Sequence, residues 1–415
     1  MKITVEKIDD INYVMSGTVE NKVIQDKVAE FKAKEVKKDD ETDESIEQNA
    51  TGEVFQEFIQ AGIKEANIDI NTILGEPLLQ KHEQQENAIY LEVAVSTSPE
   101  IDVSIAYSDI IPSFTKPTAK AADVEAKLLE YATAQAPFTK IEQEKPVENG
   151  DVAVIDFVGY IDGKVFEGGS AEKFNIKVGS NSFIPGFEEQ LLGMKYNEKR
   201  SITVTFPEDY QADDLAGKET RFDIKLHEIQ EQKAKTPDDA FAKMVLKDPK
   251  ATLHTLKKQL GEQLTSEEVS EIYITELKPK IIDGLHSKFE FTLPNNLVEQ
   301  EIDVKVREKT RSFSEDEHKS YIEDKEKFMQ LRESVRQEAR KSIKTALIVE
   351  ALAKKEGVFV AEQEVLAALS YQATVAGQDA EKLVKYYQDN NLIASAKMGL
   401  TEDKLFGVML GFHKN

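Results

Sequence analysis

Val152-Ala153-Val154-Ile155-Asp156-Phe157-Val158-Gly159-Tyr160, followed after Ile161 by Asp162-Gly163 and then Lys164-Val165-Phe166, is the stretch that decides the fold. The first run is β-branched and apolar, and Asp-Gly is a two-residue hairpin signal, so two antiparallel strands are predicted. Phe174, Ile176 and Val178 alternate with polar neighbours up to Gly179, and the runs from Arg200 to Phe206 and from Phe222 to Leu226 repeat the period of two. Between them, Ile184 to Leu192 begins with a turn and a proline, carries acids early and stops near Gly193, which predicts one short helix on the concave face of the sheet. Residues 151 to 229 thus read as a compact β domain, and the chain on either side reads as mostly helical.

The order hairpin, strand, Phe183-Ile184-Pro185-Gly186-Phe187-Glu188-Glu189, strand, Phe206-Pro207-Glu208-Asp209-Tyr210, strand resembles the FKBP-type peptidyl-prolyl isomerase family. The resemblance implies a half-barrel around one helix and a proline pocket formed by Phe157, Phe166, Glu167, Phe174, Phe183, Ile184, Phe187 and Phe222, with Tyr210 near the rim. Phe187 stands where that family usually has tryptophan, and Gln211-Ala212-Asp213-Asp214 follows the rim tyrosine. Periodicity alone reads these phenylalanines as plain barrel core; the ordered motifs favour the pocket. The implied chemistry needs no nucleophile and no cofactor. An apolar pocket that fits the twisted Xaa-Pro amide better than either planar form lowers the rotation barrier of roughly 18 to 20 kcal/mol by differential binding.

Composition bounds the rest. The 415 residues call for several domains, and 40% hydrophobic content is enough for real cores. With 53 basic against 77 acidic residues the net charge is -24, which works against nonspecific binding to nucleic acid or an anionic membrane. The absence of cysteine excludes disulfides and thiolate metal sites, and no metal site is expected. Neither His-x-x-x-His nor Gly-x-Ser-x-Gly occurs, so metalloprotease and hydrolase readings have no support. The opening Met-Lys-Ile-Thr-Val-Glu lacks an apolar signal core and no run approaches membrane-spanning length, so a cytoplasmic protein with no membrane partner is expected.

The fold class expected is multidomain α+β. Residues 1–112 read as an α+β module with strands at Ile3–Val5, Tyr13–Val19, near Ile68–Leu74 and at Ile89–Val95, and helices through Val23–Phe31 and Val54–Ala66. Residues 113–150 read as a linker with one helix, Ala121–Tyr131, and 151–235 as the β domain. Residues 236–415 are all-α: Leu253, Leu256, Leu260 and Leu264 share a face, Phe328 to Leu352 keeps one stripe up to Gly357, and Pro279 predicts a kink. The layout, with Gly75-Glu76-Pro77, Ser98-Pro99-Glu100-Ile101 and Phe291-Thr292-Leu293-Pro294, is similar to the bacterial trigger factor family. That resemblance implies a chaperone for unfolded or nascent polypeptides, monomeric or weakly dimeric, whose helical arms hold clients and whose family role extends to export and cell division. It also implies ribosome docking through a Gly-Phe-Arg-x-Gly-Lys loop at the tip of the helical hairpin.

That loop is missing. Asp39, Asp40, Glu41, Asp43, Glu44 and Glu47 occupy its place, and no Lys or Arg occurs from Asp39 through Gln60. Such a tip repels ribosomal RNA and forgoes counterion release, leaving Lys32, Lys34, Lys37 and Lys38 as the candidates for ribosome contact, although they also read as a solvated helix face. A ribosome-independent holdase or assembly chaperone, and an interaction protein with an inactive pocket, are the alternatives.

Overall fold

The computed structural model describes residues 1–34, 43–141, 145–208, 210, 212, 215–232 and 236–412, and in it the alternating stretches become strands and the 3.6-period stripes become helices. Strands β1 (Lys2–Lys7) and β2 (Asn12–Glu20) precede helices α1 (Asn21–Lys34) and α2 (Asp43–Glu65), followed by β3 (Leu78–Gln84) and β4 (Ala88–Ser96). Helix α3 (Ala121–Ala134) and strand β5 (Phe138–Lys140) lead into β6 (Val152–Ile161), β7 (Lys164–Lys177), β8 (Lys199–Thr205) and β9 (Glu219–Gln232). The remainder is helical: α4 (Asp239–Leu246), α5 (Leu253–Ile272), α6 (Lys278–Lys288), α7 (Asn295–Thr310), α8 (Glu315–Glu323), α9 (Lys325–Glu356), α10 (Glu362–Val375), α11 (Ala380–Asp389) and α12 (Ile393–Met409). Two compact units result, Met1–Thr115 with Ile272–Asn415 and Lys116–Glu271. Among the described residues no helix is long and apolar enough to cross a membrane.

In the first unit an antiparallel sheet of order β1-β2-β4-β3 buries Met15, Val19, Leu91, Val93 and Val95 against Val54, Phe58 and Ile59 of α2. The strand expected near Ile68–Leu74 is instead a 3₁₀ turn, Ile70–Thr72, with only an isolated bridge from Ile73 to Thr97. The Asp69 carboxylate accepts the Asn71 N–H at 3.0 Å, and that local bond competes with a ladder. Strand β3 went unread because it is an edge strand whose Gln80 to Gln84 are exposed, so no apolar alternation marks it.

The second sheet places β6 between β7 and β9, with β8 and β5 sharing the other edge of β9. Asp162 and Gly163 both have positive φ, 49° and 77°, as a type I′ hairpin turn requires. The helix expected over Ile184–Leu192 is wound as turns that close in a single 3₁₀ turn, Glu189–Leu191. Gly186 sits at φ +84°, outside the right-handed helical region, so an α-helix cannot pass through it. Within this unit α4 and α5, expected with the carboxyl-terminal arms, pack on α3 through Leu128, Ala242, Leu256 and Leu260.

In the helical part of the first unit, Val298, Ile302 and Val306 of α7 pack on Leu331, Val335 and Ala339 of α9. Arg332 of α9 bridges Glu299, at 2.8 Å, and Asp303. The break expected at Pro279 is a π turn, Tyr273–Leu277, directly before α6; the wider turn accommodates a residue that has no N–H to give. Helix α9 ends at Gly357 with φ +66°. Helices α8 and α12 went unread, although Ser314 and Glu317 form a capping box that marks the start of α8.

Asn12 joins the start of the chain to its second half. It is 2% exposed; its Nδ2 donates to the Leu293 carbonyl at 3.0 Å, and its Oδ1 accepts from Ser96 Oγ at 2.6 Å and from the Asn295 N–H at 2.8 Å. Asn296 adds donations to the Leu74 and Glu76 carbonyls at 2.7 and 3.0 Å. Asn12→Ala strips a partner from two buried groups, the Leu293 carbonyl and the Ser96 hydroxyl, and from the partly buried Asn295 N–H, and is expected to cost about 2 to 4 kcal/mol. Native-state hydrogen exchange checks this: the Asn295 amide should exchange faster in the variant, with the amides of β6 unchanged.

Candidate functional site

Strand alternation sends Ala153, Ile155 and Phe157 of β6 into the concave side of the second sheet. The Phe157 ring stands edge-on to Phe174, Phe183, Phe187 and Phe222, with centroids 5.8, 5.9, 6.2 and 5.9 Å away. Phe166 meets Phe206 and Phe222 in the same way, both at 6.2 Å. Each such pair contributes about 0.5 to 1.5 kcal/mol beyond area burial, so the rings fix one another's orientation.

These rings enclose a cavity of about 640 Å³. Phe157, Phe166, Glu167, Phe174, Phe183, Ile184, Tyr210 and Phe222, which the resemblance implies as pocket residues, all line it. Phe187 does not. It is fully buried and supports Phe183, Phe157 and Phe222 from below. Phe174 and Tyr210 are 41% and 40% exposed and form the open rim. Phe206, Pro207 and Leu215 also line the cavity and were not foreseen. Phe206 was legible as the last inward residue of the Ile202, Val204, Phe206 alternation, but that pattern marks core and wall alike.

Two polar anchors hold the walls. The pairing of β6 with β7 shifts between Ile155↔Phe174 and Phe157↔Ala171, which leaves one extra residue on β7. At that bulge Lys173, at φ +50°, donates its N–H to Asp156 Oδ1 at 2.8 Å, while Asp156 Oδ2 lies 2.5 Å from His227 Nε2. The His227 bond, then the Lys173 N–H, holds the Asp156 carboxyl below the usual range. The second anchor is Glu188, 3% exposed, whose carboxylate accepts the N–H groups of Asn181, Ser182 and Phe183 at 3.0, 2.9 and 3.1 Å and the Ser180 hydroxyl at 3.2 Å. Burial alone pushes its pKa up, but the three N–H bonds outweigh it and hold the carboxyl below 4.5.

Among the described residues no cluster of His, Asp and Glu could hold a metal ion. The expected ribosome contacts lie elsewhere: Lys32 and Lys34 are in the last turn of α1, while the Lys34 side chain, Lys37, Lys38 and the acids Asp39 to Glu41 fall outside the described residues. Of the acids beyond them, Asp43, Glu44 and Glu47 open α2.

Residues 143–227 match the family model for FKBP-type peptidyl-prolyl cis-trans isomerase, and residues 252–410 match that for the bacterial trigger factor protein C-terminus. A trigger factor of Sulfurovum sp. (strain NBC37-1) is 48% identical over 99% of this chain and 100% of its own. A trigger factor of Wolinella succinogenes is 37% identical over 99% of each chain. A solved structure of the trigger factor chaperone superposes with a TM-score of 0.50 at 17% identity over 99% of both chains, a likeness of fold.

Because the Glu188 carboxyl is held below 4.5, its contribution to folding is complete above that value and is lost as pH falls through the depressed native one. Acid titration of the unfolding midpoint is expected to show a steeper fall below about pH 4.5 in the native chain than in Glu188→Gln.

Proposed function

The chain belongs to the trigger factor family, and on that premise we propose that the aromatic cavity holds the proline of a client segment while the helices of the first unit hold apolar stretches around it. It is a chaperone that carries an FKBP-type peptidyl-prolyl isomerase domain. The observation that carries the assignment of the cavity is the ring of edge-packed phenylalanines at the mouth of the half-barrel, within the matched residues 143–227.

Amide resonance separates charge, and an apolar wall disfavours that separation more than water does. A prolyl bond whose ring is seated among Phe157, Phe166 and Phe222 therefore gives up planarity more easily. Phe183, Ile184 and the supporting Phe187 close one side, and Phe174 the other. Glu167 and Tyr210, at the rim, would orient the peptide outside the ring. Rotation needs no bond made to the protein, so the walls act only by fitting the twisted form better than either planar one. Holding clients needs only exposed apolar surface, and Phe359 just before α10, Tyr371 and Val375 toward its end, and Phe328 and Met329 on α9 supply it. The reading places this work in the cytoplasm, on unfolded or nascent polypeptides, with the family's part in folding, export and cell division.

Phe174 tests the cavity with little risk to the fold because it is a half-exposed wall. Phe174→Ala is expected to lower proline-peptide isomerisation about 10-fold with a small change in melting temperature. Phe222→Ala should lower it as much but also cost about 3 to 5 kcal/mol of stability. Unchanged turnover in both variants would sink the assignment. For the ribosome, the acids that replace the basic loop lead us to place affinity below that of relatives with the loop, and falling steeply with salt. Cosedimentation checks this: changing Asp39, Asp40, Glu41, Asp43, Glu44 and Glu47 to Asn or Gln should strengthen binding at low salt.

A further inference from the structure

Among the described residues of the isomerase unit, Glu188 is the one carboxylate that is both buried and bonded to three successive backbone amides. A row of N–H groups turned toward one point is an anion nest, and here the chain fills it with its own side chain. Asn181 takes a left-handed φ of +53°, and the Ser180 and Ser182 hydroxyls meet at 2.6 Å, so the loop is folded tightly around the carboxylate. The last amide of the row belongs to Phe183, whose ring lies 4.5 Å from Phe187 and 5.9 Å from Phe157 and forms a wall of the cavity. Glu188 itself follows Phe187, and its carbonyl accepts the Leu191 N–H that closes the 3₁₀ turn. The carboxylate thus locks the loop carrying one wall to the turn carrying the support beneath it.

We propose that Glu188 is a positioning residue for proline isomerisation, fixing the Phe183 wall against Phe187 through the three amides of residues 181–183. The proposal rests on the reading that this cavity takes the proline. The remaining walls keep the proline ring in place without it, so affinity depends weakly on the lock. The fit to the twisted amide depends on where the wall stands, and a misplacement of about 1 Å in such a wall can cost up to about 100-fold in rate. The lock therefore acts on turnover.

The test is a double-mutant cycle in the full chain, with a proline-containing tetrapeptide as the probe. Turnover at saturation is measured by NMR exchange and affinity by titration, below the melting onset of every variant. Glu188→Gln keeps the volume but turns an amino group toward the donor of Asn181. It is expected to lower turnover about 10-fold while affinity changes less than about 3-fold. In a Phe183→Ala background the same substitution should cost less than about 2-fold, because the wall it positions is gone. A purely structural role would cost the same factor in both backgrounds, and that result would overturn the proposal, as would full turnover in Glu188→Gln. If Phe183→Ala alone leaves turnover intact, the cavity assignment fails instead. Should Glu188→Gln not fold, Ser180→Ala removes one donor to the carboxylate, and its loss of about 2-fold must likewise vanish with Phe183→Ala.

Discussion

The first unit depends on a meeting between segments that are 281 residues apart, where the Asn12 amide gives a hydrogen bond to the Leu293 carbonyl. One side chain there satisfies a carbonyl, an amide and a serine hydroxyl at once, the carbonyl and the hydroxyl buried and the amide partly so. A buried polar group is tolerated only when its partners are supplied, and no apolar residue could supply these. The amino-terminal sheet is therefore docked by chemistry that specifies one place on α7, and the Asn296 Nδ2 of that helix donates to the Leu74 and Glu76 carbonyls.

The isomerase unit solves a different problem. Its cavity must stay open while lined by groups that would gain by closing it. The rings meet edge to face around Phe157, an arrangement that tolerates no sliding, and polar locks at Lys173 and at residues 181–183 fix the two backbone segments that carry Phe174 and Phe183. If this cavity takes the proline as proposed, rigid walls matter, since a wall that relaxed onto the planar amide would stabilise substrate and twisted form alike.

Much of this was legible in the chain, for reasons that differ by residue. Phe157, Phe166, Phe174 and Phe222 sit on strands within family-like motifs; period-two geometry marks a core-facing side, and only the resemblance pointed to a cavity there. Phe187 belongs to the same motif yet lies beneath the cavity, because a turn with a left-handed Gly186 has no periodicity from which to read direction. Glu188 was visible only as an acid in a supposed first helical turn; its partners are amides upstream, which no spacing rule announces. Strand β3 hid because an edge strand needs no apolar face. The packing of α4 and α5 on α3 hid because a helical stripe shows that a face is buried and not which partner buries it.

The insertion of Lys116–Glu271 within the other unit bears on how the chain is made. During synthesis from the amino terminus, the isomerase unit has all its residues before α7 exists, while the sheet that emerged first still lacks the groups that bury Asn12. The earliest-made sheet is thus finished only after the isomerase unit. Until Leu293 and Asn295 arrive it presents unmatched polar groups, so this chaperone passes through a half-built state of its own.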